Sequence, residues 1–397
     1  MKVAVIGGGA AGCFCAIEAK RKRPDADITL YEAGPKLLAK VALTGGGRCN
    51  LTNSFRDVAR LGEVYPRGEQ LMKRALQVLS PEDTQRWFEK EGVRLVTQED
   101  QCVFPASQDA MQIVRTLERC LRQEGVRIRL NSLVENVGDI EADVKVVTVG
   151  GNSQEKLQRL LPEGIEVTAC VPSLFTLKIA DDGLRALMGT VVPQAALSLA
   201  GTKFRAAGTL LLTDWGVSGP ATLRLSSYAA RHLAENGYCG TLLINWLDAT
   251  EAEVRSWIAA TAAENPQKQA AGTPPAGITT RLWRHLLGRA ALRGDLRWAE
   301  LGAKGAARLA ATLISDAYPV AGRARFKEEF VTCGGVALSE VHLNTLEAKR
   351  FPGLFFAGEA LDVDAVTGGF NLQAAWSTAA VVAAAIGRKS GVSANDK

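Results

Sequence analysis

The hydrophobic pattern at the start of the chain predicts a strand, a helix and a second strand. An apolar run over residues 3–6 is followed by glycines, by a helical pattern over 11–22 that stops before Pro24, and by a second apolar run over 28–31. Short apolar runs joined by a helix are typical of parallel βαβ units. The sequence therefore predicts an α/β domain at this end of the chain.

The pattern changes twice further along the chain. Helices are predicted over 69–79, 81–91 and 109–124, and strands over 126–130 and 144–149. From about residue 171 short β-rich runs follow, at 173–179, 189–199, 203–212 and 239–245, and then a helical region over 249–317. Closely spaced short strands indicate an antiparallel or barrel-like insertion. A strand at 354–357 and an apolar helix at 374–386 return the chain to α/β character.

This pattern predicts an α/β fold in three parts. A discontinuous Rossmann-like domain takes residues 1–170 and 325–397. An inserted β-rich, barrel-like domain takes 171–248 and 313–324, and a helical subdomain takes 249–312. The apolar stretch 374–386 is short for a membrane span and has polar neighbours, so we expect a buried helix and no membrane association.

Composition narrows the class of protein. The chain has 397 residues, 47% apolar and 22% charged, which is ordinary for a globular enzyme. The net charge of +5 is small and spread along the chain, so we expect no nucleic-acid partner. Eight cysteines without a C-x-x-C pair predict reduced thiols in a cytoplasmic protein, and with only three histidines no metal site is expected.

The glycines after the first strand form a G-x-G-x-x-G turn, Gly7 to Gly12. In such a turn Gly7 allows the sharp bend, Gly9 lets a diphosphate approach the backbone, and Gly12 lets helix and strand pack closely. The N–H groups of the helix N-terminus then face the diphosphate. A glycine-rich turn without a ligand is the alternative, because such turns also join strands to helices.

Glu32 strengthens the nucleotide interpretation. It follows the second strand, 20 residues after Gly12, where an acid accepts hydrogen bonds from the adenosine ribose. An acid there disfavours a 2′-phosphate, so the site is predicted to bind FAD or NAD rather than NADP.

Two further glycine-rich segments predict close approach of the backbone to a ligand. The first is the loop 43–53, in which Arg48 offers a fixed cation for phosphate. The second follows the strand 354–357 and contains Gly358, Glu359, Asp362 and the Gly369-Phe370-Asn371 turn before the last helix. Ligand-facing units at both ends of the chain fit a long dinucleotide such as FAD.

Five stretches together resemble one known family. They are residues 7–12 with Glu32, 44–53, 212–220, 331–336, and 353–364 continuing to 367–373. With these motifs the chain resembles the YhiN/BaiN-like (HI0933-like) family of bacterial flavoproteins, a branch of the two-dinucleotide-binding-domain flavoproteins. The charged segment 153–160 departs from the family pattern.

The resemblance implies an FAD-binding Rossmann-like domain split between the two ends, with a barrel-like insertion that carries helices. It implies that Glu359 lies near the ribityl and phosphate groups, that the turn at Gly369 aims a helix N-terminus at the flavin N1/C2 edge, and that Val134 meets the adenine. The residues predicted to contact FAD are Gly7, Gly9, Ala10, Ala11, Gly12, Glu32, Gly46, Gly47, Arg48, Cys49, Asn50, Val134, Gly150, Gly358, Glu359, Asp362, Gly369, Phe370, Asn371 and Leu372.

No catalytic constellation stands out. Cys49 and Arg48 are weak candidates, since a thiolate beside an arginine has a lowered pKa, but a small side chain packed in a crowded loop is the simpler interpretation of Cys49. Tyr65 and Arg67 are interpreted as lid or surface residues. Since no second dinucleotide motif occurs, NAD(P)H is expected to bind transiently, or oxygen to serve as acceptor.

The sequence thus predicts an FAD-dependent oxidoreductase that transfers hydride between flavin N5 and a small organic substrate. The alternative is a non-redox flavin-binding protein or an RNA-modification or interaction protein. The residues do not give the substrate, the electron partner or the oligomeric state.

Overall fold

The computed structural model describes residues 1–324 and 331–389, and these form two compact units. One unit comprises Met1–Val171 and Val331–Lys397, and the other Pro172–Phe330, each as far as the described residues reach. The predicted domain boundary at residue 325 lies outside them.

The first unit begins with a long run of alternating elements. In chain order these are β1 (Lys2–Ile6), α1 (Ala10–Lys22), β2 (Asp27–Tyr31), α2 (Ala39–Gly47), β3 (Thr52–Asn53), α3 (Leu61–Val64), α4 (Glu69–Val78), α5 (Pro81–Lys90), β4 (Leu95–Thr97), β5 (Cys102–Pro105), α6 (Ala110–Gln123), β6 (Arg127–Arg129), β7 (Val144–Val147), α7 (Gln154–Leu160) and β8 (Val167–Ser173). α2 is broken near its end, where Thr44, Gly45 and Gly46 leave the helical conformation.

The second unit interrupts the first. Its elements are β9 (Leu177–Ile179), α8 (Asp182–Arg185), β10 (Val191–Leu199), β11 (Arg205–Thr213), β12 (Gly216–Ser218), α9 (Pro220–Tyr228), α10 (Ala230–Glu235), β13 (Cys239–Asn245), α11 (Glu251–Glu264), α12 (Thr280–Arg289), α13 (Gly302–Ser315) and β14 (Asp316–Arg323). The first unit then resumes with β15 (Val331–Val336), β16 (Leu354–Phe356) and α14 (Phe370–Arg388).

A five-stranded sheet in the order β16-β7-β1-β2-β6 organises the first unit, and its pairings are parallel. β1 lies in the middle, with Val3 opposite Ile28 on one side and Val144 on the other. A strand covered on both faces has a nearly continuous apolar sequence, and residues 3–6 are all buried. The predicted Rossmann-like α/β fold is therefore confirmed.

α14 is the core helix of this unit. Its length and composition would suit a membrane span, but 78% of its most apolar window is buried inside the protein. Trp376 packs on Phe14 of α1, with ring centroids 5.6 Å apart, and its Nε1 donates to the Leu51 carbonyl at 3.0 Å. Gln373 accepts from the Thr52 hydroxyl at 2.6 Å. Polar groups on the side chains of α14 thus form hydrogen bonds with buried groups of neighbouring segments.

The second unit contains a closed barrel in the order β10-β11-β12-β9-β14-β13, as the β-rich pattern predicted. Leu210, Leu242 and Ile244 are buried in its core, which continues into the helices through Trp283 of α12. The ends of the unit meet, because Leu177 of β9 pairs with Arg323 of β14.

Several predicted element bounds were wrong, and three of them are instructive. The run 173–179 is not one strand, because Leu174 adopts a left-handed conformation (φ 57°) that separates β8 from β9. The helical region ends at Ser315 rather than at 317, since Asp316 already pairs with Ile244 in the barrel. The predicted strand 126–130 keeps only three residues.

Candidate cofactor-binding site

Four strands of the parallel sheet carry the predicted site residues at their carboxyl ends. β1 runs into Gly7, β2 into Glu32, β7 into Gly150 and β16 into Gly358. In parallel sheets ligands bind in the crevice outside these ends. The structure therefore brings together residues from widely separated parts of the sequence.

The glycine turn has the tight geometry that its sequence predicts. A Cβ on Gly12 would lie 1.9 Å from the Gly7 carbonyl oxygen, and Gly7 has φ 110° with the Thr148 carbonyl oxygen 2.5 Å from its Cβ position. Gly8, which the motif leaves free, is also confined, because its Cβ would lie 2.4 Å from the Leu37 side chain. At Gly9 nothing lies within 4 Å, so this face of the turn is open.

α1 begins at Ala10 without a capping side chain. Gly9 is its N-cap residue, no side chain bonds to the cap, and the first turn contains no acid. The first N–H groups of a helix need a partner from outside it, and the positive end of the helix dipole favours an anion. Open space at Gly9 and an uncapped helix terminus together fit a diphosphate.

Glu32 is held in place beside this turn. Its carboxylate accepts from Gly8 N at 2.8 Å and from Gly34 N at 2.7 Å. Asn131 and Ser132 bond to the backbone of Gly34 and Glu32, which places the segment before half-buried Val134 next to Glu32. The predicted ribose and adenine contacts are thus neighbours, as one nucleotide would require.

The two glycine-rich segments from opposite ends of the chain pack on each other. In the amide orientation that satisfies both neighbours, Asn50 accepts from Gly369 N at 3.1 Å. Asn53 donates to the Gly368 carbonyl at 3.1 Å. A Cβ on Gly369 would lie 2.3 Å from the Thr52 carbonyl oxygen, so a side chain at position 369 would push the two segments apart.

The N-terminus of α14 is presented by this packing. Gly369 is the N-cap residue, with φ 89°, no side-chain cap and no acid in the first turn of the helix. Asn371 turns backwards and holds Ala365, accepting from its N–H at 2.9 Å and donating to its carbonyl at 3.0 Å. The uncapped N–H groups of this second helix offer another place for developing negative charge.

Tyr65 and Arg67 correct the prediction of lid or surface residues. Tyr65 is fully buried, its ring packs among Phe55 and Phe370, and its hydroxyl donates to the Phe370 carbonyl at 2.9 Å. Arg67 forms a bidentate pair with Asp364, whose side chain is completely buried. Both residues support the segment that leads into α14.

Glu359 joins three segments. Its carboxylate accepts from Gly151 N at 2.9 Å and from Thr332 N at 2.7 Å, and Lys40 Nζ lies 4.0 Å away. Gly150 lies beside it, with the Gly150 Cβ position 3.8 Å from the carboxylate. Gly358 packs against α1, since its Cβ would lie 2.8 Å from the Ala11 Cβ. These residues lie next to the glycine turn.

Cys49 is a packed thiol. It is fully buried and has φ 61°. Burial raises its pKa to about 12, although a hydrogen bond with Thr44 acts in the opposite direction. Its thiolate is therefore a minor species at neutral pH.

Arg48 is exposed beside an open loop. Its Nε donates to the Gly45 carbonyl at 3.1 Å, and its guanidinium lies 4.5 Å from the centre of the Phe104 ring. Gly46 and Gly47 have positive φ values and nothing within 4 Å of a Cβ. This loop can approach a ligand without displacing other atoms.

Fourteen of the twenty residues predicted from sequence form two groups. The first group lines the carboxyl edge of the sheet: Gly7, Gly9, Ala10, Ala11, Gly12, Glu32, Gly150, Gly358 and Glu359. The second surrounds the start of α14: Asn50, Gly369, Phe370, Asn371 and half-buried Leu372. Asp362 belongs to neither group and donates its N–H to the Val336 carbonyl at 2.9 Å.

Sequence reasoning missed several supporting residues. Gly8 and Asn53 lie inside motifs that the sequence analysis recognised. Gly8 stands between two required glycines, and Asn53 is the second asparagine of its loop, so the sequence contained a signal for both. The pairing of Arg67 with Asp364 spans 297 residues and leaves no local signal.

Comparison with known proteins extends this description. The family model described as "HI0933-like protein Rossmann domain" matches residues 1–385. The chain is 26% identical to a 3-dehydro-bile acid delta(4,6)-reductase from Clostridium scindens, over 95% of this chain and 97% of that protein. It is 29% identical to the ribosomal RNA dihydrouridine synthase of Escherichia coli, over 94% of this chain and 95% of that protein.

The similarity to solved structures is distant. A 3-ketosteroid delta1-dehydrogenase from Sterolibacterium denitrificans matches with a TM-score of 0.47 and 10% identity, over 97% of this chain and 99% of that one. The FrdA chain of the E. coli quinol fumarate reductase also has a TM-score of 0.47, with 14% identity, over 98% of this chain and 70% of that one. Neither likeness bears on the activity of this chain.

Proposed function

Because the chain belongs to the HI0933-like family and is a Rossmann-type FAD flavoprotein, we propose that it is an FAD-dependent reductase of carbon–carbon double bonds conjugated to a carbonyl group. The observation that carries the FAD part of the proposal is the pair of uncapped helix N-termini, that of α1 at Gly9 and that of α14 at Gly369. These features fit a long, doubly anionic dinucleotide with a redox-active ring.

The bond type comes from what the two kinds of relative have in common. A 3-dehydro delta(4,6) bile acid contains double bonds conjugated to its 3-oxo group, and a dihydrouridine synthase saturates a uracil double bond conjugated to a ring carbonyl. The two substrates differ in size and charge, but the reduced bond is electronically alike. We therefore assign the bond type to this chain and leave the rest of the substrate to experiment.

The residues of the site divide the work of holding FAD. The N–H groups at the start of α1 would bind the diphosphate, and Glu32 would accept from the adenosine ribose. The N–H groups at the start of α14 would stabilise the negative charge of the reduced flavin ring. When bound, FAD supplies the hydride, and the protein supplies orientation and electrostatics.

A spectroscopic titration tests the proposal. The purified protein, reconstituted with FAD, is reduced anaerobically with dithionite and mixed with a conjugated enone such as a Δ4-3-ketosteroid, or with uridine-containing RNA. We expect one of the two to restore the oxidised flavin spectrum, while the matched saturated ketone and an isolated alkene do not. A protein that stays colourless with added FAD, or a reduced flavin that only oxygen reoxidises, would contradict the proposal.

RNA as the substrate class is favoured by one further feature, a groove of about 570 Å³ between α4 and the C-terminal half of α14. Its polar lining residues are cations and amides: Lys73, Arg74, Arg388, Gln70, Gln77 and Asn344. Arg74 donates to the Asn344 amide, and among the residues that the structure describes no carboxylate lines the groove, although Lys73 pairs with Glu69 of the same helix at 3.0 Å. Cations and amides without acids suit a phosphate backbone.

The groove lies far from the cofactor end of α14. Arg388 is 18 residues beyond Phe370, about 27 Å along a helix. An RNA would contact both places at once, whereas a small enone would need only the cofactor end. The triple variant K73E/R74E/R388E is expected to weaken binding of an rRNA fragment and to flatten its salt dependence. If that variant reduces its substrate with an unchanged KM, the substrate is small.

A further inference from the structure

A buried ion pair joins the loop after α3 to the segment before α14. The Asp364 side chain is 0% exposed and the Arg67 side chain 12%. Arg67 Nε donates to Oδ1 at 2.5 Å and Nη2 donates to Oδ2, and the two backbones form an antiparallel bridge. The next residue, Gly68, packs against Val363, so the contact is tight on both sides.

Such a pair is a costly way to join two segments. Burial removes both charges from water, and well-packed apolar side chains would hold the same segments without that penalty. Burial disfavours the charged Arg67 guanidinium, but hydrogen bonds and charge from Asp364, with contributions from Cys333 and Asp362, still raise its pKa. A permanent positive charge is therefore fixed there, with a carboxylate matched to it.

The pair belongs to the same support as the N-terminus of α14. Asp364 lies five residues before Gly369, and Asn371 of the helix is bonded to Ala365, the next residue after Asp364. Tyr65, two residues before Arg67, donates to the Phe370 carbonyl. Both charges thus lie on the two segments that hold the helix terminus which our proposed function assigns to the flavin ring.

We propose that Arg67 and Asp364 are a positioning pair that holds the N-terminus of α14 while their opposite charges cancel, so that neither charge displaces the reduction potential of bound FAD. This inference rests on the proposed function. Reduced FAD carries more negative charge than oxidised FAD, so a nearby uncompensated cation stabilises the reduced form and an uncompensated anion the oxidised form. With both present the charges offset each other, and the pair fixes the helix terminus without biasing the flavin.

Single and double neutral substitutions separate charge from packing. D364N leaves Arg67 charged and is expected to raise the midpoint potential of FAD. R67Q removes the arginine charge and is expected to lower it, with all variants and the unaltered protein compared at one pH. Each single substitution is expected to change the ratio of the affinities for reduced and oxidised FAD on the order of tenfold. For a two-electron couple this corresponds to a shift of about 30 mV in midpoint potential. The double variant R67Q/D364N is expected to return close to the starting value.

Two controls complete the experiment. Y65F removes the hydrogen bond to Phe370 but no charge, so FAD affinity falls while the potential stays. E69Q breaks the exposed Glu69–Lys73 pair of α4 and leaves both unchanged. If one single variant does not fold, the direction in which the other shifts the midpoint potential still tests the proposal.

The outcomes distinguish this inference from its premise. An unaltered protein that binds no FAD overturns the proposed function. A second result overturns only the electrostatic role of the pair. In it the protein binds FAD, but the two single variants shift the potential in the same direction, or they change the ratio of affinities for reduced and oxidised FAD by less than about twofold.

Discussion

Gly9 and Gly12 belong to one turn, but a methyl group would meet different surroundings at each. At Gly12 it would collide with the Gly7 carbonyl, which is backbone and moves aside only at a large cost. At Gly9 it would enter open space, and the backbone there (φ −82°) suits alanine. One glycine is thus required by the fold, and the other by whatever occupies the open space.

Alanine substitutions at these two positions are expected to fail in different ways. Gly12→Ala should lower the free energy of unfolding by about 3 kcal/mol or more, because a strained backbone must shift. Gly9→Ala should change the unfolding free energy of the FAD-free protein by less than ~0.5 kcal/mol, yet weaken FAD at least tenfold. Urea unfolding and FAD fluorescence titration measure the two effects. Unchanged FAD affinity in Gly9→Ala would contradict a diphosphate at this turn.

Cys49 is expected to be dispensable for catalysis. With a pKa of about 12 its thiol stays protonated across the physiological range, so it adds no ionisation to the pH profile between pH 6 and 9. Cys49→Ala should therefore keep the turnover rate within about threefold and leave the pH profile in place. A hundredfold loss, with FAD still bound, would show that the thiol takes part in the chemistry.

At the scale of elements, α14 combines an apolar sequence with buried polar side chains, Gln373, Ser377 and Thr378, that all have partners. Gln373 accepts from Thr52 and donates to Ser377 and to the Leu79 carbonyl, at 2.6, 2.8 and 3.3 Å. The helix is thereby fastened to both β3 and the end of α4, which carry the loops of the site.

Gln373→Leu should lower the free energy of unfolding by ~1–3 kcal/mol, since the buried Thr52 hydroxyl loses its short hydrogen bond and keeps only the 3.2 Å one to the Asn53 carbonyl. Gln77→Leu, at an exposed position of α4, is the matched control and should change it by less than ~0.5 kcal/mol. Equal effects of the two substitutions on urea unfolding would show that the buried network contributes no stability.

The same scale shows what sequence reasoning could predict. The glycine turn, its helix and Glu32 lie within 26 residues, so local patterns and known spacing were sufficient to predict them. The apolar pattern also predicted the helix that became α14. The sequence indicated that the two glycine-rich segments face one ligand. It did not predict that Asn50 and Asn53 pack directly on Gly368 and Gly369, because that contact depends on the tertiary fold.

Other features left no sequence signal. Tyr65 and Arg67 stand in a polar loop beside Pro66, which by pattern alone indicates a surface. Their partners Phe370 and Asp364 lie about 300 residues away, at separations of 305 and 297. Burial of a charged residue is decided by such a distant partner, so no window of sequence contains the information. The threefold division of the chain into domains stays a prediction.

For the whole molecule, the inserted unit has its own core and its two ends meet. Leu177 pairs with Arg323, and Ala324 donates its N–H to the Thr176 carbonyl at 3.1 Å. A unit with a closed barrel and adjacent ends needs no outside strand to complete its hydrogen bonding.

The segment 172–330, expressed alone, is therefore expected to fold and to unfold in one cooperative transition. A matched fragment, 203–330, lacks β9 and β10 and leaves the barrel open, so it should remain unfolded. Circular dichroism during thermal unfolding distinguishes the two. A non-cooperative transition in the longer fragment would contradict its independence.

The contact between Leu51 and Trp376 joins positions 325 residues apart and has a consequence for synthesis. Since the ribosome releases the chain from its first residue onwards, β1, α1 and the glycine turn wait without their packing partner until α14 has been made. At roughly 5–20 residues per second this wait lasts tens of seconds, during which the inserted unit can complete its own barrel. A chain released before α14 is translated would carry the whole nucleotide motif and still have no core on which to hold it.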